Sequence, residues 1–81
     1  MSVKTEPRPL WKIAEDIRAN WANVNFAAKP YLAAMADLEK ITDKYGMDTA
    51  KWIVTYFLSN AGSWRGDHAK RIKAELKEMI K

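Results

Sequence analysis

The sequence predicts an all-α protein: a compact four-helix domain with short connections, built around a central apolar third helix. Three observations carry this. Apolar residues recur at helical spacing through four segments, turn-forming Gly and Asn fall between those segments at helix-length intervals, and no stretch alternates as a strand does. In 81 residues, 48% hydrophobic and 30% charged, there is material for one domain with a modest core and nothing of the composition of a disordered tail.

Met1 to Arg8 reads as a flexible lead, because Pro7 and Pro9 oppose helix until Pro9 occupies a first helical turn. The domain proper then covers residues 9–81. Leu10, Ile13, Ala14, Ile17 and Trp21 form one stripe and predict a first helix over residues 10–22, with Trp11 off that stripe beside Arg18. Asn23-Val24-Asn25 reads as a turn, since asparagine side chains bond their own backbone outside helices. A second helix starts near Phe26 or at Pro30 and carries Tyr31, Ala34, Met35, Leu38, Ile41 and Tyr45 on one face. Gly46 is expected to end it in a left-handed cap, and Asp48 to cap the helix that follows.

That third helix, Ala50 to Ala61, is apolar around most of its circumference. Trp52, Ile53, Val54, Tyr56, Phe57, Leu58 and Ala61 sweep an arc of roughly 240°, leaving Lys51, Thr55 and Ser59 as a narrow polar strip. A surface helix needs an apolar stripe of only about 100°, so this one is a core helix, a partner-binding face, or both. Gly62 is expected to close it. Ser63 or Asp67 then begins a fourth helix that buries Ala69, Ile72, Leu76, Met79 and Ile80.

Composition removes several classes of function. The chain has no cysteine, hence no disulfide, thiolate metal site or cysteine nucleophile. Met1 to Leu10 lacks the apolar run of a signal peptide, and the apolar stretches fall short of the ~20 residues a bilayer crossing needs, so a cytoplasmic, soluble protein is expected. His68, the single histidine, diverges from its neighbour Asp67 on a helix, and Ser63, Asp67 and His68 are too local for a nucleophilic triad. Glu15 and Asp16 diverge likewise. With no phosphate-cradling glycine loop and no metal-ligand spacing, neither an enzyme nor a cofactor, a metal or a small-molecule substrate is expected. Ile41, Tyr45, Gly46, Met47 and Trp52 approximate helix-turn-helix spacing, but residues 49–61 offer base edges only Lys51, two threonines, Ser59 and Asn60.

Binding features remain. The net charge of +4 is concentrated at the two ends of the chain, which favours an anionic partner and serves solubility equally. Trp21 and Trp52 lie on or beside the apolar stripes. Trp64, in Gly62-Ser63-Trp64-Arg65-Gly66, either packs back over the end of the third helix or offers, with Arg65 and Trp11, the residue types enriched in binding hot spots. On the fourth helix Lys70, Lys73, Lys77 and Lys81 fall within about 80° of one another. They form a strip that complements the helix dipole or, with Arg65, follows a phosphate backbone.

The stretches 28–35 (Ala28-Lys29-Pro30-Tyr31-Leu32-Ala33-Ala34-Met35), 56–61 (Tyr56-Phe57-Leu58-Ser59-Asn60-Ala61), 64–66 (Trp64-Arg65-Gly66) and 69–77 (Ala69-Lys70-Arg71-Ile72-Lys73-Ala74-Glu75-Leu76-Lys77) resemble small phage- or prophage-encoded helical proteins of unassigned role. The resemblance implies a short accessory protein that acts by binding. The leading expectation is thus a helical interaction module engaging a protein partner, or a second copy of itself, through Trp11, Trp64 and Arg65. The alternative is a nonspecific nucleic-acid-binding protein using Arg65, Lys70, Lys73, Lys77 and Lys81.

Overall fold

The computed structural model of the chain describes residues 8–81. The expected flexible lead therefore lies outside the described residues except at Arg8, which belongs to the folded domain. Its guanidinium donates to both Glu75 carboxylate oxygens, at 2.7 and 2.9 Å, and to Asp16 Oδ2 at 3.1 Å. The Glu75 bonds, foremost, raise the Arg8 pKa above its ordinary value, against the pull of burial. One side chain so ties the chain entry to the first and fourth helices.

Helix α1 (Leu10–Asn20) buries Leu10, Ile13, Ala14 and Ile17, the stripe its spacing predicts, and Trp21 sits at its C-cap. Pro9 offers α1 no side-chain cap. The orphan donors find partners elsewhere in the fold: Leu10 N and Trp11 N donate to the carbonyls of Glu39 and Leu38 at 2.8 and 2.9 Å. Asn25 Oδ1 accepts from Ala27 N and starts a short 3₁₀ turn, Phe26–Ala28, that runs directly into α2 (Lys29–Met35) with Pro30 in its first turn.

The second helix is shorter than its apolar spacing predicts, and the domain is not purely α. After Met35 the chain leaves the helix, and Leu38 and Glu39 turn their carbonyls to the start of α1. Asp43 organises the loop that results. Its carboxylate accepts from Glu39 N and Lys40 N at 3.2 and 2.9 Å, and its carbonyl accepts from Ala50 N at 2.8 Å.

Lys44–Tyr45 (β1) and Asp48–Thr49 (β2) then form a small antiparallel hairpin with Lys44 opposite Thr49 and Tyr45 opposite Asp48. Gly46 does have positive φ, 63°, but as the first central residue of the two-residue hairpin loop. This is the type II′ pattern, in which glycine avoids the clash a Cβ meets. The cap of helix α3 (Ala50–Ser59) is Thr49 and not Asp48: Thr49 Oγ1 accepts from Trp52 N at 3.2 Å.

Gly62 does not supply a left-handed cap; α3 ends at Asn60, whose side-chain amide donates to Tyr56 O at 2.9 Å. Gly66, with φ 110°, is the N-cap of α4 (Asp67–Met79), which begins at Asp67 as the spacing allows. Ala69, Ile72 and Leu76 are buried, while Met79 and Ile80 pack half-buried against the core edge.

Nor is α3 enclosed by the other three helices. It packs most extensively on α2, while α1 is seated between α2 and α4. Ala50, Ile53, Val54 and Phe57 face the core. The opposite side of α3 is open.

Candidate interaction surface

Helix α3 positions two aromatic groups in two different environments. On its inner side Phe57 meets the edge of Trp21, centroids 6.2 Å apart at 75°, and Trp21 stacks on Trp64 at 5.3 Å and 7°. Trp64 is 3% exposed. Its indole Nε1 donates to Asn20 O at 3.3 Å, and its carbonyl accepts from Lys73 Nζ at 2.6 Å. The expectation that Trp64 lends aromatic surface to a partner is corrected accordingly. A large ring close to the C-terminal ends of α1 and α3 fills the core and finds a partner for its one polar atom.

On the outer side Trp52 stacks on Tyr56 at 5.3 Å and 20°, and Tyr56 on Tyr31 of α2 at 5.6 Å and 23°. This three-ring ladder crosses the α2–α3 seam. Trp52 is 54% and Tyr56 45% exposed, so about half of each side chain faces water. Exposed apolar residues bracket it at both ends of α3. Asn25 Nδ2 donates to Asn60 O at 3.0 Å, which brings the 3₁₀ turn and its Phe26 (85% exposed) to the C-terminal end of the helix. At the N-terminal end the hairpin carries Tyr45 and, at its tip, Met47 (98% exposed).

Trp11 is 41% exposed, as its place off the α1 stripe predicts, but it belongs to α1 and not to the ladder. Single exposed apolar residues are ordinary on any protein; a stacked and bracketed group is not. Sequence reasoning left Trp52 and Tyr56 open between core and partner-binding face, and placed Tyr31 on the apolar face of the second helix. The usable signal was that Ala50, Ile53, Val54, Phe57 and Ala61 alone span about 100° of the wheel, already the width a core-facing stripe needs.

The lysine strip survives only in part. Lys73 is drawn inward by the Trp64 carbonyl, its Nζ 6.0 Å from the indole centroid, and burial, reinforced by Lys77 and Arg65, lowers its pKa below the ordinary lysine value. Lys81 pairs with Glu78 at 2.9 Å. Lys70 and Lys77 are exposed along α4, and Arg65 joins Lys70 and Lys73 on an open cleft of about 420 Å³ beside the start of α4. A second cleft, about 600 Å³, lies between Arg8, Pro9, the loop at Lys40 and Ile41, and Met79 of α4.

His68 Nδ1 lies 3.2 Å from an Arg71 guanidinium nitrogen, an exposed pairing within one helix. Among the described residues no three His, Asp or Glu side chains gather closely enough to hold a metal ion. No described helix is long and apolar enough to cross a membrane. Comparison with protein-family models, with curated proteins and with solved structures yields no match for the chain.

Proposed function

We propose that the protein is a helical interaction module that binds a protein partner through the Tyr31–Tyr56–Trp52 ladder and the apolar residues at its two ends. The observation that carries this reading is a stacked aromatic array left half in water on a domain whose core is otherwise closed. Aromatic residues and methionine are the types enriched in interface centres, and charged residues are depleted there, which is the composition of this side of α3. Trp11, on another element, is a secondary contact at most. The resemblance to small phage-encoded helical proteins points the same way, toward an accessory role exercised by binding.

The test is differential capture. Partners cross-linked to the wild-type chain in its native extract are compared with those of a Trp52→Ala/Tyr56→Ala variant and a Trp11→Ala variant, each first shown to melt cooperatively. A partner lost from the double variant and kept by Trp11→Ala is the expected result; identical recovery by all three contradicts it. Sedimentation of the wild-type chain across concentration identifies the case in which the partner is a second copy.

A second reading, nonspecific binding of nucleic acid, draws on the convergence of Arg65, Lys70 and Lys73 on one cleft, extended by Lys77. Gel shifts over a salt series separate the two, since phosphate contacts weaken steeply with added salt.

A further inference from the structure

The cleft beside the start of α4 holds an amine without an acid partner. Lys73 Nζ donates to the carbonyl of the buried Trp64 at 2.6 Å and lies 6.0 Å from the centroid of that indole, so its head group is held at one wall of the cleft instead of swinging in water. Among the described residues Lys73 enters no ion pair, whereas Lys12 and Lys81 have Glu15 and Glu78 to hold their protons. Arg65 and Lys70 line the same cleft as exposed cations that likewise enter none, and Asp67 is the single acid among the lining residues. Lys70 stands three residues before Lys73 on α4 and so shares its side of the helix.

We propose that Lys73 is a covalent modification site, an amine nucleophile that takes an acyl group from an acyl phosphate bound in this cleft by Arg65 and Lys70. Only the neutral amine has a lone pair to attack with, and a lysine is neutralised most readily when it is partly desolvated and set beside other cations. Both conditions hold here: Lys73 is half-buried, and burial, then Lys77 and Arg65, lower its pKa. The Trp64 carbonyl engages one N–H and leaves the lone pair of the neutral amine free. The nitrogen attacks the acyl carbon, the C–O bond to phosphate breaks with its electron pair passing to the phosphate oxygen, and the proton lost by nitrogen leaves on phosphate. No oxidant or further reactant is needed. Arg65 and Lys70 favour this reagent over a neutral ester, because they attract its phosphate and stabilise the charge that grows on it as it departs. The cleft, about 420 Å³, is within the size range of small-molecule sites. The amide that forms keeps one N–H for the Trp64 carbonyl but has no charge, so acylation makes the cleft less positive while leaving that bond in place. None of these residues belongs to the aromatic face of α3, so the two sites stand or fall separately.

The experiment is incubation of the full chain with acetyl phosphate, with acetylation followed at every lysine by peptide mass spectrometry. Lys73 is expected to react roughly tenfold faster than Lys51 and Lys77, exposed lysines outside the cleft, and added inorganic phosphate to slow it selectively. An Arg65→Gln/Lys70→Gln variant, which removes two exposed side chains without an ion pair, should lose more of its Lys73 rate with acetyl phosphate than with p-nitrophenyl acetate, a neutral acyl donor. A Lys73 that reacts no faster than Lys51 and Lys77 overturns the proposal. So does a variant whose Lys73 rate falls equally with both donors, or with neither.

Discussion

Trp21–Trp64 and Trp52–Tyr56 are both stacked pairs with centroids 5.3 Å apart, and both include a ring carried by, or packed against, helix α3. One is closed inside the core and the other stands open. Around the buried pair the polar atoms are accounted for: the Trp64 indole donates to Asn20 and its carbonyl holds Lys73. Around the open pair no such enclosure exists, and Trp52 and Tyr56 are each left about half exposed. The ion pairs follow the same division. Those found among the described residues join the chain entry, α1 and α4, while the eight charged residues between Val24 and Asn60 take part in none of them. Aromatic stacking by itself thus does not identify core; what surrounds the stack decides whether it contributes to stability or to recognition.

This contrast is open to direct attack. The largest effect is expected at the buried pair: Trp64→Ala should cost about 3–5 kcal/mol in urea unfolding, from lost transfer energy and the cavity left beside Trp21 and Phe57. Trp52→Ala should cost about 1 kcal/mol in the same measurement, since it loses one stacking contact on a half-exposed ring, while weakening partner binding by about 2 kcal/mol. Equal stability losses at the two sites would erase the distinction between them.

Arg8→Ala removes the link between the chain entry and α4, and about 1 kcal/mol of stability with it, the bidentate geometry to Glu75 lifting the pair above an ordinary surface contact. Gly46→Ala, placing a Cβ at φ 63°, should cost about 1 kcal/mol and loosen the hairpin first, visible as faster amide exchange at Ala50, whose N–H donates to Asp43 O across the base of the hairpin.

The smallest effect concerns Lys73. Its pKa is lowered in the folded chain, so across the window between that value and the ordinary lysine pKa of 10.5 the unfolded chain binds more protons than the folded one. The Lys73 contribution therefore turns more favourable as pH rises through that window, and Lys73→Met should flatten the rise. Ammonium resonances followed by NMR should show Lys73 losing its proton below the ordinary lysine range.

Much of the fold was legible in the sequence because helical spacing and burial agree in α1 and α4: Leu10, Ile13, Ala14 and Ile17, then Ala69, Ile72 and Leu76, are the predicted stripes and are the buried ones. Helix two was overextended for a physical reason. Ile41 and Tyr45 keep the helical period by sequence, but the carbonyls of Leu38 and Glu39 are claimed by the uncapped start of α1, a long-range demand that no local pattern records. The hairpin was missed because strands of two residues are too short to show alternation, although Gly46-Met47 carries the turn chemistry. At the candidate surface the apolar arc of α3 was plain, but an arc of roughly 240° does not say which half faces in. That choice depends on where α2 and α4 pack, and it assigned Trp52 and Tyr56 to water and Trp64 to the core.

Hydrogen exchange at the four indole N–H groups, followed by NMR on the dilute monomer, tests the division between the two stacks most directly. Trp64, bonded to Asn20, should exchange slowly, while Trp52 and Trp11 exchange at nearly the rate of a free indole. A Trp52 indole protected as strongly as Trp64 in a monomer would mean that the chain itself already covers the face, and the proposed docking surface would not exist.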